Sequence, residues 1–413
     1  MSDTVAAVRA ALRSGEGVLR LAPCWVPRSF LMPGGRLKLH PSDVYALGSH
    51  RGGIDERWFS STTQADNGPG TPEDEGLSYV VASNDSEGSH GKILLKEAVD
   101  HIGDELLDQD VMSEHGGWNV LCKFFDNLGP IPHHMHQTDE FAERVGRRGK
   151  PEAYYFPPQG NFKENNCAYT GMGLEPGTTL DDVRRCLERW DQGDNGILYH
   201  SRAYKLKPGT GWHIPAGVLH APGSAVTYEP QVNSDVFGMF QSMVEGRAVP
   251  WDLLVKDVPD DHKLDLDYIL SMLDWEKNVD PEFMKHRRFD PAPVRDLEEM
   301  LDAGYEEKWV CYSSPYFSAK ELTVFPGRSA RIVDAAAYGL ILTQGRGKIG
   351  VWEAHTPALI RFGELTKDEY FVTAAAAREG VVVTNQSDSE SLVMLKHFGP
   401  GNPDADPLVR QES

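Results

Sequence analysis

Cysteine is scarce in this 413-residue chain. Cys24, Cys122, Cys167, Cys186 and Cys311 are odd in number, widely scattered and without a C-x-x-C pair. That spacing argues against a disulfide framework and against a thiolate zinc site. Long apolar runs are missing too: no segment reaches the ~18 apolar residues of a membrane span. The opening MSDTVAAVRAALRSGEG lacks the continuous apolar core of a signal peptide. Cytoplasmic residence is the default expectation. Positive charge is in deficit, with 41 Lys and Arg against 62 Asp and Glu and a formal charge of −21. Such a surface repels phosphate backbones and anionic membranes, so neither nucleic acid nor a membrane is expected as a partner.

Turn-forming residues, by contrast, are plentiful, with 40 glycines and 27 prolines in a chain that is 40% hydrophobic. This is the profile of a globular protein built from strands and tight connections, and the length suits two or three domains. After a short N-terminal helix, residues 17–60 run as brief strand-like pieces. Residues 61–88 are polar and turn-rich apart from the apolar LSYVV run, and most of the stretch reads as a surface loop. KILLKEAVDHIGDELL predicts a helix near 92–107, and strands resume at 118–125 and continue to about Gln241. They are interrupted by TTLDDVRRCLERWDQG, where Thr179 caps a helix that places Val183, Leu187 and Trp190 on one face. LDLDYILSMLDWEKN predicts a helical region before a second β-rich stretch from about Tyr316 to Phe398. The two β-rich regions have comparable lengths and similar closing phrases, GWHIPAGVLHA and DEYFVTAAAAREGVVV. A duplicated barrel in which one copy kept its polar site would produce this pattern.

The chemistry concentrates in GPIPHHMHQTDE, GKPEAYYF and PGTGWHIPAGVLHAPG. Side chains alternate faces along a strand, so His134 and His136 point the same way while His133 and Met135 point the other. Such a pair can chelate one ion. The same alternation sets Glu152, Tyr154 and Phe156 on a common face, and the bend at Pro215 and Gly217 delivers His220 to a neighbouring strand. Glu140, four residues after His136, is a rival carboxylate that spacing alone does not exclude. Imidazoles with a carboxylate suit Zn²⁺, Fe²⁺, Mn²⁺ or Co²⁺.

Together these residues resemble the class I mannose-6-phosphate isomerase family of the cupin superfamily. IDERWFSST at 54–62, HMHQTDEFA, GKPE at 149–152, YTGMGLEPGTTLDDV, IPAGVLHAPG, YEPQVNSD and LDYILSMLDW follow the family's order and approximate spacing. The resemblance implies a mainly β protein of duplicated double-stranded β-helix (jelly-roll) barrels with an additional helical segment. It implies a divalent metal, zinc first, and aldose–ketose isomerisation through an enediol, with a sugar or sugar phosphate as the small-molecule partner. Carried over residue by residue, the metal ligands fall on His134, His136, Glu152 and His220, which selects Glu152 over Glu140. His134 departs from the family's usual glutamine.

Lys150 matches the family lysine beside the metal carboxylate and is expected to bind a substrate oxyanion or shuttle a proton. Glu229 matches a family carboxylate and is the candidate general base. Gln231, two residues on and sharing its face, is the candidate substrate contact. The family arginine that follows Asn-Ser-Asp is absent: Phe237, Gly238 and Met239 stand there, with Arg247, Lys205 and Lys207 as distant substitutes. The substrate is therefore either phosphorylated or a free or differently substituted sugar. An iron-dependent cupin oxygenase or lyase, or a non-catalytic sugar-binding cupin, would use the same pocket. The expected layout is an N-terminal part over 1–110, a metal-binding barrel over 111–247, a helical connection over 248–312 and a degenerate barrel without metal over 313–413.

Overall fold

Along the strand Thr227–Val232, Tyr228 and Val232 enter one apolar cluster while Glu229 faces a polar cavity on the other side. This two-residue alternation governs the architecture. The computed structural model of the chain describes residues 2–81, 92–162 and 167–405. Among these, the first barrel pairs a seven-stranded antiparallel sheet with a five-stranded one. In the larger sheet the order is Arg288–Phe289, Gly211–Ile214, Glu152–Tyr155, Thr227–Val232, Val120–Phe125, Ile54–Phe59 and Cys24–Pro27. The smaller sheet carries the histidine strands, with His134–Met135 between His220–Ala221 and Gly238–Met239. A second barrel repeats the plan with a seven-stranded and a four-stranded sheet, all of whose strands fall within residues 292–398 except Val18–Arg20 at one edge of the larger. The duplicated jelly-roll architecture expected from the two β-rich regions is present.

The two large sheets lie back to back. Val120, Cys122, Ala153, Tyr155 and Tyr228 from the first pack with Ala319, Ile341, Phe371 and Leu395 from the second in one buried cluster, to which the helix Leu95–Leu107 adds Leu95, Val99, Ile102 and Leu106. Polar ties cross the same joint. Tyr155 donates to Glu321 at 3.0 Å, Arg57 grips Asp368 with two bonds of 2.8 Å, and Tyr228 Oη lies 3.1 Å from a ring nitrogen of His397.

Local expectations meet the coordinates closely. Thr179 caps the helix Leu180–Glu188 in a reciprocal box with Asp182, and Val183, Leu187 and Trp190 are buried beneath it. The helix expected at 92–107 begins as the strand Lys92–Leu94 and becomes helical at Leu95. The region LDLDYILSMLDWEKN divides into Leu266–Ser271 and Trp275–Asn278, because Asp274 caps a new helix through the Lys277 amide. Residues 248–312 hold short helices together with the strands Arg288–Phe289, Ala292–Pro293 and Tyr305–Cys311, so strand structure resumes before Tyr316.

The N-terminal residues serve both barrels. Val18–Arg20 pairs with Glu369–Val372 of the second, whereas Cys24–Pro27 and Ile54–Phe59 extend the large sheet of the first. The described part of the 61–88 loop docks through the Asp66 amide onto Asp235, and residues 82–88 lie outside the described residues.

Phe371 is fully buried at the joint, its ring edge-on to Trp118 at 5.2 Å. Phe371→Ala should cost about 3–5 kcal/mol, read as a lower denaturation midpoint. An unchanged midpoint would show that the joint does not support folding.

Candidate metal centre

A tight turn begins the site. The Val218 amide closes onto Pro215 O, and Gly217 adopts φ +79°, where a Cβ would meet the Asp274 amide nitrogen at 2.8 Å. Glycine is required there on both counts. The turn is held from the helical connection, since Asn278 donates to Gly217 O at 2.7 Å and accepts from the Leu219 amide at 2.8 Å. His220 is thereby delivered directly opposite His134, its cross-strand partner.

The three histidines His134, His136 and His220 bring ligand nitrogens within 4.8 Å of one another, all buried. Each has its Nδ1 against a backbone carbonyl: His134 on Pro132 at 2.7 Å, His136 on Val236 at 2.7 Å, His220 on Val218 at 2.9 Å. A carbonyl can only accept, so each Nδ1 carries the proton and each Nε2 offers a lone pair. Outer partners that fix the tautomer in this way are characteristic of metal-ligating histidines. Glu152 completes the convergence, with Oε2 3.0 Å from His136 Nε2 and Oε1 3.0 Å from His220 Nε2.

These are acceptors facing acceptors. Buried Glu152 Oε1 and His220 Nε2 face each other with no donor between them, while the Lys150 ammonium lies 3.1 Å from both Glu152 Oε2 and His136 Nε2. Unmatched lone pairs at a common point are costly unless a cation lies between them. The residues therefore fit a divalent ion, and the donor set of imidazoles with one carboxylate is that of Zn²⁺ or a first-row neighbour. Burial, reinforced by Lys150, lowers His136 to about 4, and burial together with His220 holds His134 well below its ordinary value. Burial opposes charge on Glu152, but Lys150 together with His136 and His220 outweighs it and holds the carboxyl well below its ordinary value. Glu140 is exposed and pairs with Arg144 at 2.9 Å, away from the site.

Beside the histidines runs a chain of buried charges that alternate in sign. Lys150 stands 3.1 Å from Glu152 and 3.6 Å from Glu229; Lys123 lies 3.4 Å from Glu229 and 3.3 Å from Glu56; Arg28 lies 3.3 Å from Glu56 and binds Asp235 with two bonds of 3.0 and 3.1 Å. Strand register explains the order, because Glu229 pairs with Lys123 and Lys123 with Trp58 across adjacent strands, while Trp58 donates to Glu56 at 2.7 Å. Burial, then the charge of Glu152, raises Glu229 to about 8 in spite of its two lysines.

Four members of this chain escaped the sequence reading. Arg28, Glu56, Lys123 and Asp235 line the cavity with Lys150 and Glu229. A single lysine inside the apolar run VLCKFF was the available signal for Lys123; nothing local distinguished Arg28. Gln231 is not among the lining residues: its amide donates to the carbonyls of Val232 and Ser234, where it holds the turn after its strand. Phe237 and Met239 line the cavity where the arginine was sought. Arg247 contacts Glu245 and the Phe30 carbonyl outside the lining, and Lys205 and Lys207 are exposed.

No family model matches the chain, and no curated protein does. Solved structures do. A putative mannosephosphate isomerase from Archaeoglobus fulgidus superposes with a TM-score of 0.59 at 15% identity, covering 93% of this chain and 97% of that one. The chain has the mannose-6-phosphate isomerase fold. The Bacillus subtilis mannose 6-phosphate isomerase gives 0.57 at 16% identity over 92% and 99% of the two chains. A zinc-bound mannose 6-phosphate isomerase gives 0.58 at 12% over 93% and 100%. At these identities the likeness is one of fold, and no helix among the described residues is long and apolar enough to cross a membrane.

Asn278→Ala strips the buried Leu219 amide of its acceptor beside the His220 turn. A loss of about 1–3 kcal/mol in stability is expected, and a variant as stable as the parent would refute the role given to this side chain.

Proposed function

We propose that this chain is a metal-dependent aldose–ketose isomerase of the mannose-6-phosphate isomerase kind, with zinc as the resident ion and iron, manganese or cobalt as alternatives. One observation carries the reading: three tautomer-fixed imidazoles and the Glu152 carboxylate converge beside a buried lysine and a carboxyl group whose pKa is raised to about 8. When bound, a divalent ion at His134, His136, Glu152 and His220 supplies a Lewis acid for adjacent sugar oxygens.

The reaction removes a proton from C2 of the aldose and returns one to C1, while hydroxyl and carbonyl exchange between O1 and O2 through an enediol. It is redox-neutral overall and needs no co-reactant. Glu229 is suited to carry the proton, because a carboxyl group that titrates near neutrality can both accept and release it. Lys150 donates hydrogen bonds from its ammonium to the oxygen that gains negative charge, and its contacts with Glu152 and Glu229 fix that ammonium between ligand and base. Lys123 holds Glu229 from the far side. Gln231 supports the turn that carries Asn233, Ser234 and Asp235 and acts on substrate only through that turn.

Incubation with aldoses and ketoses in D₂O tests the reading. Deuterium should appear at C1 of the ketose formed from an aldose and at C2 of the aldose formed from a ketose, without oxygen uptake; oxygen-dependent turnover would sink it in favour of the oxygenase alternative. Glu229→Gln should lower kcat by about 10²–10⁴ while metal content stays unchanged, and His136→Ala should empty the metal site.

Metal retention should also follow the histidines. A buried imidazole whose folded pKa lies below its solution value stays neutral and ligating as pH falls through about 6.5. Protons compete only as pH approaches the lowered value, about 4 for His136. Elemental analysis after dialysis should thus find metal still bound near about pH 5.5 and lost near about pH 4. Release near neutrality would contradict this environment.

A further inference from the structure

We propose that the cavity is built for an uncharged sugar and discriminates against sugar phosphates, an inference that rests on the isomerase reading and narrows its substrate class. A phosphate dianion needs a cation or a set of N–H donors that is not already committed. Three cations line the cavity, and all three are committed. Arg28 holds Asp235 with two hydrogen bonds, Lys123 lies between Glu56 and Glu229, and Lys150 lies between Glu229 and Glu152. With Glu152 set aside as a metal ligand, three carboxyl groups remain within 3.6 Å of the three cations, Asp235 beside Arg28, Glu56 beside Lys123 and Glu229 beside Lys150.

Recruiting Arg28 to a phosphate would strip buried Asp235 of its partner. Asp235 also accepts the Asp66 amide at 3.1 Å, so the loop at the rim depends on the same carboxylate. Truncating or diverting one partner of a buried, hydrogen-bonded pair is strongly unfavourable, because it leaves the other charge uncompensated. Farther out, exposed Arg148 does not line the cavity and donates to Asn233 at 3.0 Å, and two other cations lie against carboxylates. Lys256 lies 3.1 Å from Asp66 and 3.6 Å from Asp257, and Arg247 lies 3.4 Å from Glu245.

The remaining wall is apolar. Phe237 meets Phe30 at 6.0 Å between ring centroids, and Met239 and Ile131 line the same cavity. Such a wall accepts the C–H face of a neutral sugar, whose hydroxyls find donors and acceptors along the ionic chain without displacing any pair. A phosphate brought against it would be desolvated with no compensating charge.

The test uses the metal-loaded full chain with mannose, fructose, their 6-phosphates and inorganic phosphate as probes. Calorimetry reads binding, and NMR in D₂O reads isomerisation. Neutral sugar should be preferred over its 6-phosphate by about 100-fold or more in kcat/KM, with matching order in affinity, and inorganic phosphate should not compete. Preference for the 6-phosphate would overturn the inference and leave the isomerase reading standing. Selective binding of neutral sugar without turnover would uphold the inference on substrate class and defeat the isomerase reading. Binding of no sugar would overturn the inference.

Two variants probe the cause. Asp235→Asn removes the charge paired with Arg28 and leaves Arg28 beside Glu56, and Phe237→Arg adds a cation to the apolar wall, where the Lys256 ammonium now lies 4.4 Å from the Phe237 ring centroid. Each should shift relative affinity toward the 6-phosphate by about tenfold or more. Because Asp235→Asn also loosens the rim loop, Phe237→Arg is the deciding variant, and an unchanged preference in it would overturn the charge-balance account.

Discussion

Both faces of one seven-stranded sheet are buried, and most of the molecule follows from that constraint. On one face Val120, Cys122, Ala153, Tyr155 and Tyr228 press against the second barrel; on the other, Lys123, Glu152 and Glu229 enclose the cavity. A shift of register by one residue would exchange the two sets. The apolar joint therefore holds the charges in order, with Lys123 and Glu229 paired across adjacent strands and Glu152 turned toward Lys150 and the histidines.

The second barrel contributes no lining residue to the cavity but anchors its back. Arg57 lies on the strand that carries Glu56 and reaches across to Asp368 and Glu369. In its own interior the second barrel buries Lys396 against Glu307 and Asp334, with Lys320 also on Asp334 at 2.7 Å. Here lysine ammonium groups lie among the carboxylates, whereas in the first barrel three imidazole nitrogens and the Glu152 carboxylate converge at one point, and that convergence separates a ligand site from a packed interior.

What was legible beforehand was local. The spacing of His134 and His136, the turn at Gly217 and the cap at Thr179 each rest on a few consecutive residues, and strand or helix period alone orients them. Selecting Glu152 over Glu140 needed a family resemblance, since spacing left both open; the coordinates turn Glu140 to solvent. Gln231 shows the limit of sharing a face. It follows Glu229 by two residues, yet the carbonyls of Val232 and Ser234 claim its amide.

By itself, the sequence determined the class of fold, the histidine pair, the bend that carries the third histidine and the chemistry such donors permit, because these depend on side-chain type and backbone period. Tertiary structure alone decided the company those ligands keep. Arg28 meets Asp235 across 207 positions and Lys123 meets Glu56 across 67, contacts created by sheet order rather than by any neighbouring residue. The charge of the cavity is a sum over such distant pairs, and it comes into existence only when the sheet closes.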